Sequence, residues 1–384
     1  MRIVAALLGI GLIVAILVEG FETVVQPRRV TRRYRITRVY YSALWPTWRW
    51  IAGSLLKTSK RRSAFLGAFG PLSLLGIFAT WVAVLIVGFA MLQWGLRDPV
   101  LVNVGAGDVG IGTYLYLSGT TFFTLGYGDV TPMGSLGRAL AVAESGLGFG
   151  FLGAVLSYLP ALFQAYSRRE VEISLLDARA GSPPTASQLI LRAARTDSAS
   201  AMDPFLGEWE RWSAELLESQ LSFPVLGFYR SQHDNQSWLA ALTTVLDTCA
   251  VLLTQVSNVN TYQAQVTFAI ARHAAVDLAL VLRARAPAHS SERLSSEQFA
   301  ALRSALKSAN VPLGDMAGAE EALRKLRGTY EPFLHGLGER LLLTVPPLVS
   351  EDGVPDNWQR SAWMKPTPGI GTQPMGTPGE GHFG

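Results

Sequence analysis

Two stretches of this chain stay apolar for longer than a bilayer is thick. Leu66 to Leu96 holds no charged residue, and Ala139 to Tyr166 holds one, Glu144. Each exceeds the roughly 20 apolar residues that carry a helix across the hydrocarbon core. A third run, Ile3 to Val18, reaches Val25 if Glu19 and Glu22 sit at headgroup level. It has one Arg ahead of it and "VEG" behind it, which is no small-residue cleavage site, so it reads as a retained span and not a signal peptide.

From Glu170 the pattern changes. Apolar residues recur at helical spacing, as in Trp238, Leu239, Leu242, Val245, Leu246, Cys249, Leu252 and Leu253. Helices are predicted over Gln188 to Arg195, Pro204 to Leu221, Ser237 to Val256, Thr261 to Ala284, Ser296 to Ser308 and Ala317 to Leu343. Asp203-Pro204 and Asn260 read as N-caps, Ser295 with Gln298 as a capping box, and Pro312 and Pro346-Pro347 as stops. A bundle over 170–346 follows. The Pro- and Gly-rich tail 347–384 lacks apolar patterning and is expected to be disordered.

Composition sharpens this. At 384 residues, 49% hydrophobic and 16% charged, the chain is too apolar for an ordinary soluble protein. Its net charge of +4 is modest, but the placement is informative. Arg28, Arg29, Arg32, Arg33, Arg35, Arg38, Arg49, Lys57, Lys60, Arg61 and Arg62 fall between the first two spans, and Arg168 and Arg169 follow the third. Basic short segments stay cytoplasmic, so the N-terminus and the 97–137 region face outside a plasma membrane and the C-terminal domain faces inside. Arg29, Arg32, Arg35 and Arg38 have the three-residue spacing of a voltage sensor. A single preceding span cannot house one, so the 26–65 linker reads as a helix on anionic headgroups, with Tyr40, Tyr41, Trp45, Trp48 and Trp50 as an interfacial belt.

Chemistry concentrates between the second and third spans. Gly112 to Phe123 predicts a short helix, and Thr124-Leu125-Gly126-Tyr127-Gly128 an extended segment ending in a turn from Asp129 to Pro132. Irregular backbone at that depth survives only where protein or a water-filled cavity surrounds it.

The stretch "TTFFTLGYGDVTP", through Thr121, Thr124, Gly126, Tyr127, Gly128 and Asp129, resembles the potassium-channel signature T-x-x-T-V-G-Y-G-D. That resemblance implies an all-α membrane protein with a homotetrameric pore, here carrying an extra N-terminal helix (1–25) and a cytoplasmic helical domain. The pore domain would be 66–169, with outer helix 66–96, pore helix and filter 112–129 and inner helix 138–166. It further implies that the carbonyls of Thr124, Leu125, Gly126 and Tyr127, with the Thr124 hydroxyl, coordinate K⁺, that Gly126 and Gly128 take positive φ, and that Asp129 sits at the outer mouth. Leu125 stands where the family has Val or Ile, which leaves a weakly selective cation channel as an alternative. A non-conducting membrane sensor or scaffold is a second.

Within the third span, Gly148 falls where resembling channels carry a hinge glycine, and Pro160 is a second kink site. Gly148-Phe149-Gly150-Phe151-Leu152-Gly153 spells a dinucleotide fingerprint but has no preceding strand. Glu144 has two readings: a cation-concentrating group at the cavity, or a hydrogen-bonded carboxyl buttressing the pore helix through Ser118 or Thr121. Cys249 is the sole cysteine, and His233, His273, His289, His335 and His382 show no ligand spacing. No enzyme, resident cofactor or nucleic-acid partner is expected. The loop "FYRSQHDNQSW", Phe228 to Trp238, is the first place to seek a ligand or a subunit contact.

Overall fold

The computed structural model describes residues 1–25, 36–56, 58–102, 109–194, 199–232, 235–257, 261–287, 293–315 and 317–350. The chain divides into two compact units, Met1–Gln164 and Ala165–Gly384. The arginines at 28, 29, 32, 33 and 35, Lys57, Asn260, His233, His289, His382 and the tail from 351 lie outside the described residues.

The first unit opens with α1, Arg2–Gly20, and a π-helical turn, Phe21–Val25. Its partner is the long helix α3, Ser59–Leu96. They meet through bare backbone. A Cβ on Gly9 would lie 2.5 Å from the Gly88 carbonyl oxygen, and one on Gly95 would lie 2.6 Å from the Ala6 nitrogen. Small residues let helices approach closely in an apolar medium, where van der Waals packing supplies the attraction. Exposed Ile3, Leu7 and Val14 lie along α1 away from these contacts, and exposed Phe21 follows in the turn.

Between them runs α2, Ile36–Leu55, whose first two amides are capped from α1: the Glu19 carboxylate accepts from Ile36 N at 3.2 Å and Thr37 N at 3.0 Å. The aromatic residues of α2 differ from a simple belt. Trp48 stacks on Phe65 at 4.3 Å and donates its indole N–H to the Phe65 carbonyl, and Trp45 is buried against Phe69. Trp50 is exposed. α3 also starts at Ser59, before the expected Leu66, because its basic first turns are helical although not apolar.

A short strand β1, Val100–Val102, leads towards α4, Ile111–Phe122, and β2, Val130–Pro132, pairs antiparallel with β1. Then α5 runs from Ser135 to Ala180, longer than the expected 138–166 and unbroken at Gly148 and Pro160. The dinucleotide-like glycine run lies within it.

The second unit contains α6 (Ala186–Ala194), α7 (Ala199–Ser222), a 3₁₀ turn (Pro224–Phe228), α8 (Trp238–Gln255), α9 (Tyr262–Val281), α10 (Ser296–Ser308), α11 (Ala319–Arg327) and α12 (Glu331–Leu341). Two expectations are corrected. Pro204 lies inside α7 instead of at its start, and the single helix expected over 317–343 is broken at Gly328–Tyr330, with Pro332 in the first turn of α12. The Ser295–Gln298 capping box forms with both bonds.

Five described helices are long and apolar enough to cross a membrane, α8 and α9 among them. α8 owes its apolar circumference to burial: Trp238, Leu239, Leu242, Val245, Leu246 and Cys249 are fully enclosed by the helices of its own unit. Its one buried acid, Asp247, accepts from the Tyr330 hydroxyl at 2.6 Å and pairs with Arg293, whose Nε donates to the Pro346 carbonyl at 3.1 Å.

Candidate functional site: the loop between the two long apolar helices

The short helix α4 ends in a Schellman pair around the left-handed Thr124. Thr124 N donates to the Thr121 carbonyl at 3.0 Å and Leu125 N to the Thr120 carbonyl at 2.8 Å, so the chain leaves the helix at a fixed angle. From there φ is positive at every second residue: Thr124 at 56°, Gly126 at 55° and Gly128 at 75°. In an ordinary strand successive carbonyls point to opposite sides. Alternating the sign of φ turns them to one side, a geometry that glycine takes cheaply and a β-branched residue does not. The two glycines were legible in the sequence. Thr124 was not, and its left-handed backbone costs about 1–2 kcal/mol.

A frame holds this segment. The Tyr116 hydroxyl, on α4, donates to Asp129 Oδ2 at 2.7 Å. Beyond Asp129 the chain pairs as β2 with β1, and Met133 N donates to the Pro99 carbonyl at 2.8 Å. Asp98 anchors the base of that ribbon: its carbonyl accepts from the Tyr114 hydroxyl at 2.6 Å and its carboxylate from Gly137 N, in the first turn of α5, at 3.2 Å. Asp98, Tyr114 and Tyr116 carried no motif in the sequence. Phe123 to Gly128 are all exposed in the single chain.

Glu144 is fully buried. Of the two expected partners, Ser118 is the one it meets, through a very short contact between Ser118 Oγ and Glu144 Oε1. Gln93 Nε2 on α3 donates to Glu144 Oε2 at 3.4 Å. Ser118 Oγ also lies 2.9 Å from the Ile86 carbonyl oxygen. A hydroxyl has one hydrogen, so Ser118 shares it between the Glu144 carboxyl and the Ile86 carbonyl, which joins α3, α4 and α5 in one buried cluster. A fully enclosed carboxyl behind α4 is not at a cavity surface, so the cation-concentrating arrangement is absent from this geometry.

Gly148, one turn on, is buried against the end of α4: a Cβ there would lie 2.1 Å from the Phe122 carbonyl oxygen. Pro160 is exposed. Val142, Phe149, Leu156 and Phe163 form an exposed apolar row at seven-residue spacing along α5.

Other residues singled out by the sequence have structural surroundings. Arg169, read as a topogenic charge, is buried and donates to the Leu226 carbonyl at 2.9 Å and the Tyr229 carbonyl at 3.0 Å. In the 228–238 loop, Arg230 donates to the Leu341 and Leu342 carbonyls and Ser237 caps α8. Among the described residues no cluster of His, Cys, Asp and Glu could hold a metal ion.

The fold is therefore that of an all-α membrane ion channel, with a short helix and an irregular segment set between two long apolar helices. Residues 74–165 match a sequence family described as "Ion channel". Two curated relatives share stretches of different length. The "Uncharacterized membrane protein YdjJ" of Bacillus subtilis is 23% identical over 212 residues, which is 55% of this chain and 59% of that protein. "Protein LctB" of Geobacillus stearothermophilus is 36% identical over 83 residues, 20% of this chain and 61% of its own length. The chain thus spans less than two thirds of either relative. No solved structure matches.

Proposed function

We propose that the protein is the subunit of a homotetrameric, potassium-selective channel of the plasma membrane, with its N-terminus outside and its helical domain in the cytoplasm. The observation that carries this reading is the alternation of φ at Thr124, Gly126 and Gly128. Four such segments around an axis would present rings of carbonyls from Thr124, Leu125, Gly126 and Tyr127 in place of the hydration shell of K⁺. Asp129 would draw cations to the outer mouth.

Two features support assembly. Leu125 and Tyr127 are exposed in the single chain, and the Val142–Phe163 row offers a continuous apolar seam to neighbouring copies. The basic face around Lys60, Arg61 and Arg62 suits anionic lipid headgroups. Inner-helix bending under the control of the C-terminal domain would gate the pore, with Pro160 as the exposed kink site.

Leu125 favours a second reading, a weakly selective cation channel, because a γ-branched side chain packs differently behind the segment from Val or Ile. Ion flux from proteoliposomes, with K⁺ or Na⁺ as the sole permeant ion, decides between them. K⁺-driven flux that Na⁺ does not support, and that Gly126→Ala abolishes, is the expected result. Equal flux of both ions would establish the second reading. No flux of either ion, with or without the C-terminal domain, would overturn both.

A further inference from the structure

We propose that Glu144 and Gly148 are positioning residues for ion selectivity: through two contacts one turn apart, α5 sets where the pore helix, and so the filter segment, lies. This rests on the channel reading. The two contacts differ in kind and reach α4 one turn apart, near its C-terminal end. Glu144 holds α4 through the side chain of Ser118, in a buried chain of groups that also includes Gln93 and the Ile86 carbonyl of α3. Gly148 abuts the carbonyl oxygen of Phe122, the last residue of α4, two positions before Thr124. No side chain intervenes there. Any shift of α5 at Gly148 is therefore passed to the backbone on which the positive-φ series begins, since close-packed interiors transmit displacement.

A glycine kept for flexibility and one kept for contact predict different neighbours. Gly146, Gly150 and Gly153 stand on the same helix with nothing within 4 Å of an added Cβ, whereas Gly148 has backbone at 2.1 Å. The helix runs unbroken through all four. The constraint at Gly148 is thus the space beneath Phe122, and alanine at Gly150 stiffens α5 to the same degree while leaving that space intact.

Two readouts test this on the full-length protein: the K⁺/Na⁺ flux ratio in proteoliposomes, and hydrogen exchange of the peptide covering residues 111–125. Gly148→Ala is expected to lower the ratio by about tenfold or more and to speed exchange, while Gly150→Ala changes neither. Glu144→Gln, which keeps an N–H donor towards Ser118, retains the ratio, and Glu144→Leu loses it. Should Gly148→Ala fail to assemble, Glu144→Leu and Ser118→Ala carry the test. Equal loss of flux in Gly148→Ala and Gly150→Ala with the ratio intact would overturn the proposal in favour of a flexible hinge. A wild-type protein without K⁺ preference would sink the potassium-selective reading instead; exchange then decides alone, and an unaltered pore-helix rate in Gly148→Ala overturns the coupling.

Discussion

Tyr116 and Asp129 close the loop that follows α4: the phenol on α4 donates to the carboxylate beyond Gly128 at 2.7 Å, tying the helix that starts the segment to the residue that ends it. The bond spans the positive-φ segment, so it limits how far Thr124 to Gly128 can spread.

Tyr116→Phe keeps the ring and removes the donor. The expected outcome is a several-fold fall in the K⁺/Na⁺ flux ratio with assembly retained. Asp129→Asn keeps an acceptor oxygen and is expected to hold the ratio closer to wild type than Asp129→Ala. Proteoliposome flux measures all three, and identical ratios for Asn and Ala would remove the role assigned to the bond.

Gly9 and Gly11 lie on the same helix, yet only Gly9 faces backbone, at 2.5 Å from the Gly88 oxygen. Gly9→Leu is expected to push α1 off α3 and cost about 1–3 kcal/mol. Gly11→Leu, with nothing within 4 Å, stays within about 0.5 kcal/mol. Thermal unfolding of the purified protein in detergent compares them; equal loss from both would show that α1 is not held by close packing.

Arg169 is enclosed and holds two backbone carbonyls, those of Leu226 and Tyr229, next to Glu170. Arg169→Leu leaves both acceptors and the neighbouring carboxylate without their donor. The expected cost is about 2–4 kcal/mol, seen as a lower Tm of the transition that reports the second unit. Arg168→Leu, an exposed neighbour, serves as the comparison and is expected to change little.

Glu331 supplies a pH dependence. Burial alone would raise its carboxyl, but the adjacent His335, Arg293 and Arg327 outweigh burial and hold it below the usual Glu value of 4.5. A depressed acid contributes stability that is present above the unfolded value and lost as pH falls through the folded one. Wild type should therefore lose Tm on acidification from about pH 7 to about pH 3 more steeply than Glu331→Gln, so that the two curves converge at low pH. Parallel curves would show that the carboxylate is not coupled to its cations.

Much of the fold is legible because single-chain periodicity records it. The two long apolar runs became α3 and α5, and the Ser295–Gln298 capping box became the start of α10, since caps and spans depend on residues close in sequence. Helix ends were less legible. α5 continues to Ala180 because Ile173, Leu176 and Ala180 pack into the second unit, which the drop in apolar content after Tyr166 conceals. The break at Gly328–Tyr330 likewise follows from Tyr330 turning in to reach Asp247, 83 residues earlier.

By itself the sequence determined the class of the segment: Gly126 and Gly128 around Tyr127, between two apolar helices, specify a backbone that only glycine-rich chain adopts easily. Tertiary structure alone decided what the odd residues around it do. Glu144 faces Ser118 and not a cavity, Gly148 meets the Phe122 carbonyl, Thr124 shares the left-handed series, and Asp98 and Tyr116 brace the loop from outside. The physical reason is range. A backbone preference is a property of one residue and its neighbours, whereas the partner of a buried carboxyl or the space left for a Cβ belongs to helices brought together from distant parts of the chain.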